Sequence, residues 1–147
     1  IRDVERSRGL GDVYKRQVHG PGRDQGMTSQ PTVAVEHAAR GESYTVEYGG
    51  TLGFQYAPDV ARAFIEASRR PAEAAPAFNL PADTIGVRNF LDVVTDITGI
   101  ELFCGDTGLD LVDEGAADSW TEWVNEWTTT PLGEAIRESV DVFANHN

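Results

Sequence analysis

The sequence predicts a mixed α and β chain in which helices dominate and strands are short. Three observations lead there. Val87, Phe90, Leu91, Val94 and Ile97 recur at i, i+3, i+4, i+7 and i+10, the spacing of one helix face. Tyr44, Val46 and Tyr48 alternate with Thr45 and Glu47, the period of a half-buried strand. Proline and glycine then cut the remaining text into segments of helix length, leaving strands too few and too short for an independent sheet.

In chain order, the Gly- and Pro-rich stretch at 18–28 reads as a loop. Pro31 suits the first turn of a helix over 31–40, and Gly41 its stop. After the 44–48 strand, Gly49 and Gly50 turn the chain into a second strand over 52–56. Pro58 and Asp59 open a helix through 69 that aligns Val60, Ala61, Phe64, Ile65 and Ser68 along one side before Pro71 ends it. A loop follows, then a buried strand at 77–80 and a turn. The periodic helix stops at Gly99, and 100–103 is a short strand. An acidic loop at 105–115 leads to a helix carrying Trp120, Trp123 and Trp127 on a packed face. Thr130 as N-cap and Pro131 at the first helical position start a last helix with Leu132, Ala135, Ile136, Val140 and Phe143 inward.

At 147 residues and 40% hydrophobic, the chain has the size of one domain with a core, not two. A net charge of −12, with no basic residue between Arg88 and Arg137, argues against a phosphate-backbone partner, so no nucleic acid is expected. The acidic stretch reads as a solvated face or, alternatively, as a docking site for a basic partner. No apolar run approaches the roughly 18 residues needed to span a bilayer, and residues 1–17 lack the apolar stretch of a signal peptide. The expectation is a cytoplasmic protein without a membrane partner. Cys104, the only cysteine, excludes an internal disulfide and a thiolate metal cage.

Residues 1–17 stand apart. They are mildly basic and aperiodic against an acidic, patterned remainder, so the domain reading is a non-native or disordered extension over 1–17 and a single region over 18–147. SRGLGDVYKRQ resembles translated sequencing-adapter read-through; a genuine disordered extension is the alternative.

Four landmarks then stand in order: GPGRDQGMTSQPT at 20–32, FQYAPDVARAF at 54–64, AFNL at 77–80 and TPLGEAIRESV at 130–140. Together they resemble the C-terminal portion of an extended short-chain dehydrogenase/reductase, the NAD-dependent epimerase/dehydratase family. The resemblance implies an α/β fold: the substrate-binding part of an extended Rossmann-type enzyme, mostly helical with a few short strands, its cofactor-binding half missing. It implies NAD or NADP held mainly by that other half, a small-molecule substrate, and a homodimer as one form of the intact parent. The family's reacting Tyr and Lys lie four residues apart, whereas the only lysine here, Lys15, has Gly11 in that place, so no catalytic residue is expected.

By matching position, the resemblance puts Val18, His19 and Gly20 beside the nicotinamide and Arg23, Thr28 and Ser29 at the substrate pocket. His19 stands where the family usually has Tyr; an imidazole there can hydrogen-bond a ligand and titrate near neutrality, while a solvent-facing loop histidine is the plain alternative. Arg23 offers a planar fork for an anion or is simply an exposed loop arginine. Asp59 matches the family's acidic position and reads most simply as helix initiation. Sugar-nucleotide members carry an Arg shortly before the second strand; no arginine lies between Arg40 and Arg62, which favours a smaller alcohol, ketone or hydroxy acid. A non-catalytic acidic interaction domain is the competing reading.

Three further patterns look chemical. Gly20, Gly22 and Gly26 mimic a dinucleotide fingerprint, but charged text precedes them and no helix opens directly after. Asp106, Asp110, Asp113 and Asp118 lack the alternate-residue spacing of a calcium loop. His37 and His146 have no partner evident in the sequence, and no metal site is expected.

Overall fold

The computed structural model describes residues 16–26, 28–69, 78–108 and 118–145. The extension over 1–15, Ala77, the acidic stretch 109–117 and His146 lie outside the described residues. The elements are β1 (Arg16–His19), α1 (Gln30–Ala39), β2 (Thr45–Val46), β3 (Thr51–Tyr56), α2 (Ala57–Arg69), β4 (Asp83–Gly86), α3 (Val87–Thr98), β5 (Phe103–Cys104), α4 (Asp118–Val124) and α5 (Leu132–Asn145).

β3 is the centre of a three-stranded sheet, parallel to β1 and antiparallel to β4. With a neighbour on each edge, it reads TLGFQY, and Leu52, Gly53, Phe54 and Tyr56 are all buried, as a strand covered on both faces requires. A sheet therefore forms within the chain, where the sequence suggested strands too short to make one. β2 and β5 add a second, parallel two-stranded sheet, in which the Gly105 amide donates to the Val46 carbonyl at 2.9 Å. The backbones come so close there that a Cβ on Gly105 would collide with the Glu47 carbonyl oxygen.

Helices α1, α3 and α5 pack on one another and on the sheet. Their shared core holds Ala34, Val35, Leu52, Phe54, Phe90 and Ile136, and Phe54 stacks on Phe90 with centroids 4.5 Å apart. All four leading residues of the periodic helix, Val87, Phe90, Leu91 and Val94, are buried, and Ile97 packs against the same core. Gly99 ends α3 in the left-handed region, with φ 74, and its amide donates to the Thr95 carbonyl at 2.7 Å.

Several expectations need correcting. Phe78, Asn79 and Leu80 form no strand; the strand is β4, six residues later in its start, because DTIG pairs in register with β3, Thr51 against Gly86 and Phe54 against Asp83. Phe78 instead stacks on Trp123 at 4.7 Å. β1 begins at Arg16, so Arg16 and Gln17, set aside with the extension, pair with Gly53 and Phe54. In α2 the expected packed face is turned outward. Phe64 is 72% and Ile65 49% exposed, whereas Ala63 is buried against Trp120 and Val124. Small side chains let α2 approach the tryptophans closely, and the larger apolar ones are left outside. Trp127 is not on the tryptophan helix, since α4 ends at Val124 and Asn125 and Glu126 both take positive φ. Thr130 does not cap α5, because its hydroxyl donates to Asp59. His37 has a partner: its Nδ1 lies 2.9 Å from Glu42 Oε2, and its ring packs on Tyr44.

Candidate functional site

Because β1 and β3 are parallel, their C-terminal ends open at the same edge of the sheet, where ligands of α/β folds bind. His19 and Tyr56 are those ends, paired in register with ring centroids 5.5 Å apart. Both lie at the floor of a cleft whose walls include Phe54, Gln55, Asp59, Asp83, Trp127 and Thr130. Its free volume is about 20 Å³, enough for a water-sized group.

His19 is 3% exposed and is ringed by Phe54, Tyr56 and Phe90. Burial drives its pKa down from 6.5 to about 4, against an opposing pull from the Asp59 charge, so the imidazole is neutral at pH 7. Its strand neighbour Gln17, equally buried, has no hydrogen-bond partner for either amide atom. A buried amide without partners is rare in folded interiors. Tyr56 is better satisfied. Its hydroxyl donates to Glu138 Oε2 at 2.9 Å, and burial together with that carboxylate pushes its pKa up to about 12, so it stays protonated.

Asp59 holds the far wall. From the first turn of α2, Oδ2 accepts the Thr130 amide at 2.7 Å and Oδ1 accepts the Thr130 hydroxyl at 2.9 Å. Arg62, one turn on, bonds Asp59 Oδ1 at 2.8 Å and the Thr128 carbonyl at 2.6 Å, and lies over the Trp127 ring at 4.7 Å. On the near wall the Gln55 amide donates to the carbonyls of Leu80 and Pro81, fixing the chain that leads into Asp83. Asp83 opens β4 at the rim of the cleft and is exposed to solvent. Its pKa is raised by burial and by the Asp59 charge.

Of the six residues singled out in the sequence, His19 alone lines this cleft. Val18 is half-buried on the opposite side of β1, and Gly20 follows directly with φ 120. A Cβ on Gly20 would lie 3.0 Å from Tyr56 Cε2, so glycine is required both by the backbone and by the tyrosine beside it. Arg23, Thr28 and Ser29 are gathered on the loop beyond. The Arg23 guanidinium bonds the Gln25 carbonyl and reaches the Thr28 hydroxyl at 3.4 Å, while Ser29 Oγ donates to the Gly26 carbonyl at 2.7 Å. The loop thus bonds to itself. The Gly20 amide is taken by Thr32 Oγ1 at 3.3 Å, and α1 opens only at Gln30, so this glycine-bearing stretch presents no cradle for a pyrophosphate.

Tyr56, Asp83, Trp127 and Thr130 were missed as site residues. Tyr56 stood within a quoted landmark, and its place at a strand end just before a helix was the available signal. The other three reach the cleft only through long-range folding.

No protein-family model matches the sequence, and no curated protein is significantly similar to it. Solved structures do match in shape. A partial consensus L-threonine 3-dehydrogenase superposes with a TM-score of 0.70 at 17% identity, over 87% of this chain and 46% of its own. A monomeric L-threonine 3-dehydrogenase from a metagenome database, in its apo form, gives 0.74 at 11% identity, over 92% and 52%. UDP-glucuronic acid 4-epimerase from Bacillus cereus, bound to UDP-glucuronic acid and NAD, gives 0.63 at 13% identity, over 86% and 42%. The chain spans about half the length of each. It has the fold of the C-terminal part of the extended short-chain dehydrogenase/reductases.

Proposed function

We propose that this chain is the substrate-binding half of an NAD(P)-dependent oxidoreductase, epimerase or dehydratase that acts on a small alcohol, ketone or hydroxy acid, the dinucleotide being held mainly by a separate nucleotide-binding half. The observation that carries this reading is the pairing of His19 with Tyr56 at the C-terminal ends of two parallel strands, the floor of a cleft. No arginine of the described cleft wall is free to grip a diphosphate, since Arg62 is engaged with Asp59, Thr128 and Trp127.

The fit to a dinucleotide is partial. Gln17, buried and without a partner, and buried His19 would offer donors and acceptors to a nicotinamide carboxamide, and Val18, His19 and Gly20 would border its ring. When bound, the nicotinamide exchanges hydride with a substrate carbon. What the chain's own residues contribute is placement: neutral His19 orients a substrate oxygen, and the aromatic floor keeps water out. Arg23, Thr28 and Ser29, on the loop after β1, would face the substrate only once the other half is in place.

The test is to express the chain together with the coding sequence upstream of Val18 and to assay dinucleotide reduction on secondary alcohols, hydroxy acids and UDP-sugars. Turnover of a small alcohol supports the reading. Turnover confined to UDP-sugars, or none with any of them, contradicts it.

A further inference from the structure

Between α2 and α4 the apolar packing does not close. Ala63 is buried against the tryptophans, yet one turn later Ala67 offers only a methyl group, and a chamber of about 230 Å³ remains, lined by Ala63, Phe64, Ala67, Phe78, Leu80 and Trp120. Every one of these side chains is uncharged and apolar. The walls are held by contacts of their own: Phe78 stands edge-on to Trp120 at 5.6 Å and stacks on Trp123 at 4.7 Å, while the Leu80 carbonyl accepts the Gln55 side-chain amide at 2.9 Å. The chamber is therefore preformed. Trp120, 2% exposed, lies deepest in it, and Phe64, 72% exposed, stands at its mouth with most of the ring in solvent.

We propose that this chamber is a second binding site, for a neutral molecule built on one six-membered ring, held between the faces of Phe64, Phe78 and Trp120. Size and chemistry both lead there. An apolar cavity of about 150 Å³ is enough to take benzene, so the chamber has room for one ring and a short substituent. An ion would give up its water and meet no counter-charge on these walls. A ring seated in the mouth covers part of Phe64, whose exposed surface is the largest apolar area that an occupant could take out of water here. A second copy of the chain suits the mouth less well, because a net charge of −12 on each copy opposes the approach. The site is independent of the reading of the strand-end cleft, with which it shares Leu80 alone among the described residues.

The test uses the 147-residue chain with its tryptophans labelled for NMR and three probes of one ring size: toluene, benzoate and benzylammonium. Toluene carries no oxygen, so it has nothing to offer His19 in the other cleft. It is expected to shift the Trp120 indole signal saturably below its solubility limit, with the two ions binding about tenfold more weakly or worse. Ala67→Phe, which fills the chamber from a half-buried position, is expected to abolish the toluene response. Phe64→Ala, at an exposed position that the fold does not need, is expected to weaken it roughly threefold or more by removing one wall; it decides the matter if Ala67→Phe fails to fold. No saturable shift, equal binding of the ions, or a toluene response that survives in a folded Ala67→Phe or unchanged in Phe64→Ala overturns the site. A Trp120 signal that moves with protein concentration alone assigns the chamber to a second copy of the chain and overturns the small-molecule assignment.

Discussion

Asp59 and Thr130 lie 71 residues apart in sequence and meet through two hydrogen bonds, from the Thr130 amide and the Thr130 hydroxyl to the two carboxylate oxygens. This clasp joins the first turn of α2 to the segment that enters α5, and both residues line the cleft with His19. Asp59 is 8% exposed, and charged hydrogen bonds of this kind are costly to break from one side. Asp59→Ala is expected to destabilise the fold by about 3 kcal/mol, with Thr130→Ala costing about 1 kcal/mol because the amide bond survives. Chemical denaturation of both variants and of the double variant checks this. The double variant should cost less than the sum, since the two residues share their bonds.

The buried imidazole gives a pH signature. The His19 pKa is about 4 in the folded chain, below its ordinary value of 6.5, so between these two values the unfolded state binds more protons than the native state. Stability from this group is therefore complete above about pH 6.5 and is lost as pH falls toward 4, by up to about 3 kcal/mol. Denaturation of wild type and His19→Phe across that range, compared as a difference, isolates the effect from the carboxylates. The variant should show the flatter profile.

Gly20 is held between backbone and ring. With φ 120 and Tyr56 Cε2 only 3.0 Å from where a Cβ would sit, Gly20→Ala is expected to cost about 1–3 kcal/mol and to displace the Tyr56 ring. Loss of the Tyr56 to Glu138 hydrogen bond, seen as a fall in the tyrosine pKa from about 12, is the spectroscopic readout.

Two phenylalanines separate the sequence pattern from the packing. Phe90 is fully buried and stacked on Phe54, so Phe90→Ala is expected to cost about 3–5 kcal/mol. Phe64, 72% exposed, should change stability by no more than about 0.5 kcal/mol when replaced by Ala. Thermal melts of the pair suffice.

The contrast also shows what could be read from the chain beforehand. α3 was legible because its burial follows its own periodicity, with Gly99 supplying the stop. α2 was placed correctly along the chain but its inward face was not, because the face that packs is chosen by the tryptophans of α4 and by Ala63, and apolar period alone favours Phe64 and Ile65. β4 was missed because DTIG has little strand character of its own; pairing with β3 makes it a strand, and that pairing is a tertiary fact. At the site, His19 was found from its landmark turn, and its burial was not. Asp59 was read as a helix starter, which it is, but its second role depends on Thr130, too distant in sequence for any spacing rule. Asp83 and Trp127 carried no local signal at all.

The most direct measurement compares dinucleotide reduction by the 147-residue chain alone with reduction by the same chain fused behind a glycine-rich nucleotide-binding half carrying a Tyr and a Lys four residues apart. The expected result is no turnover by the chain alone and turnover of a small alcohol or hydroxy acid by the fusion, abolished or strongly reduced by His19→Phe. Turnover by the chain alone with added dinucleotide, or a fusion that binds dinucleotide yet works equally well without His19, would contradict the assignment of this fold as a substrate-binding half built around His19.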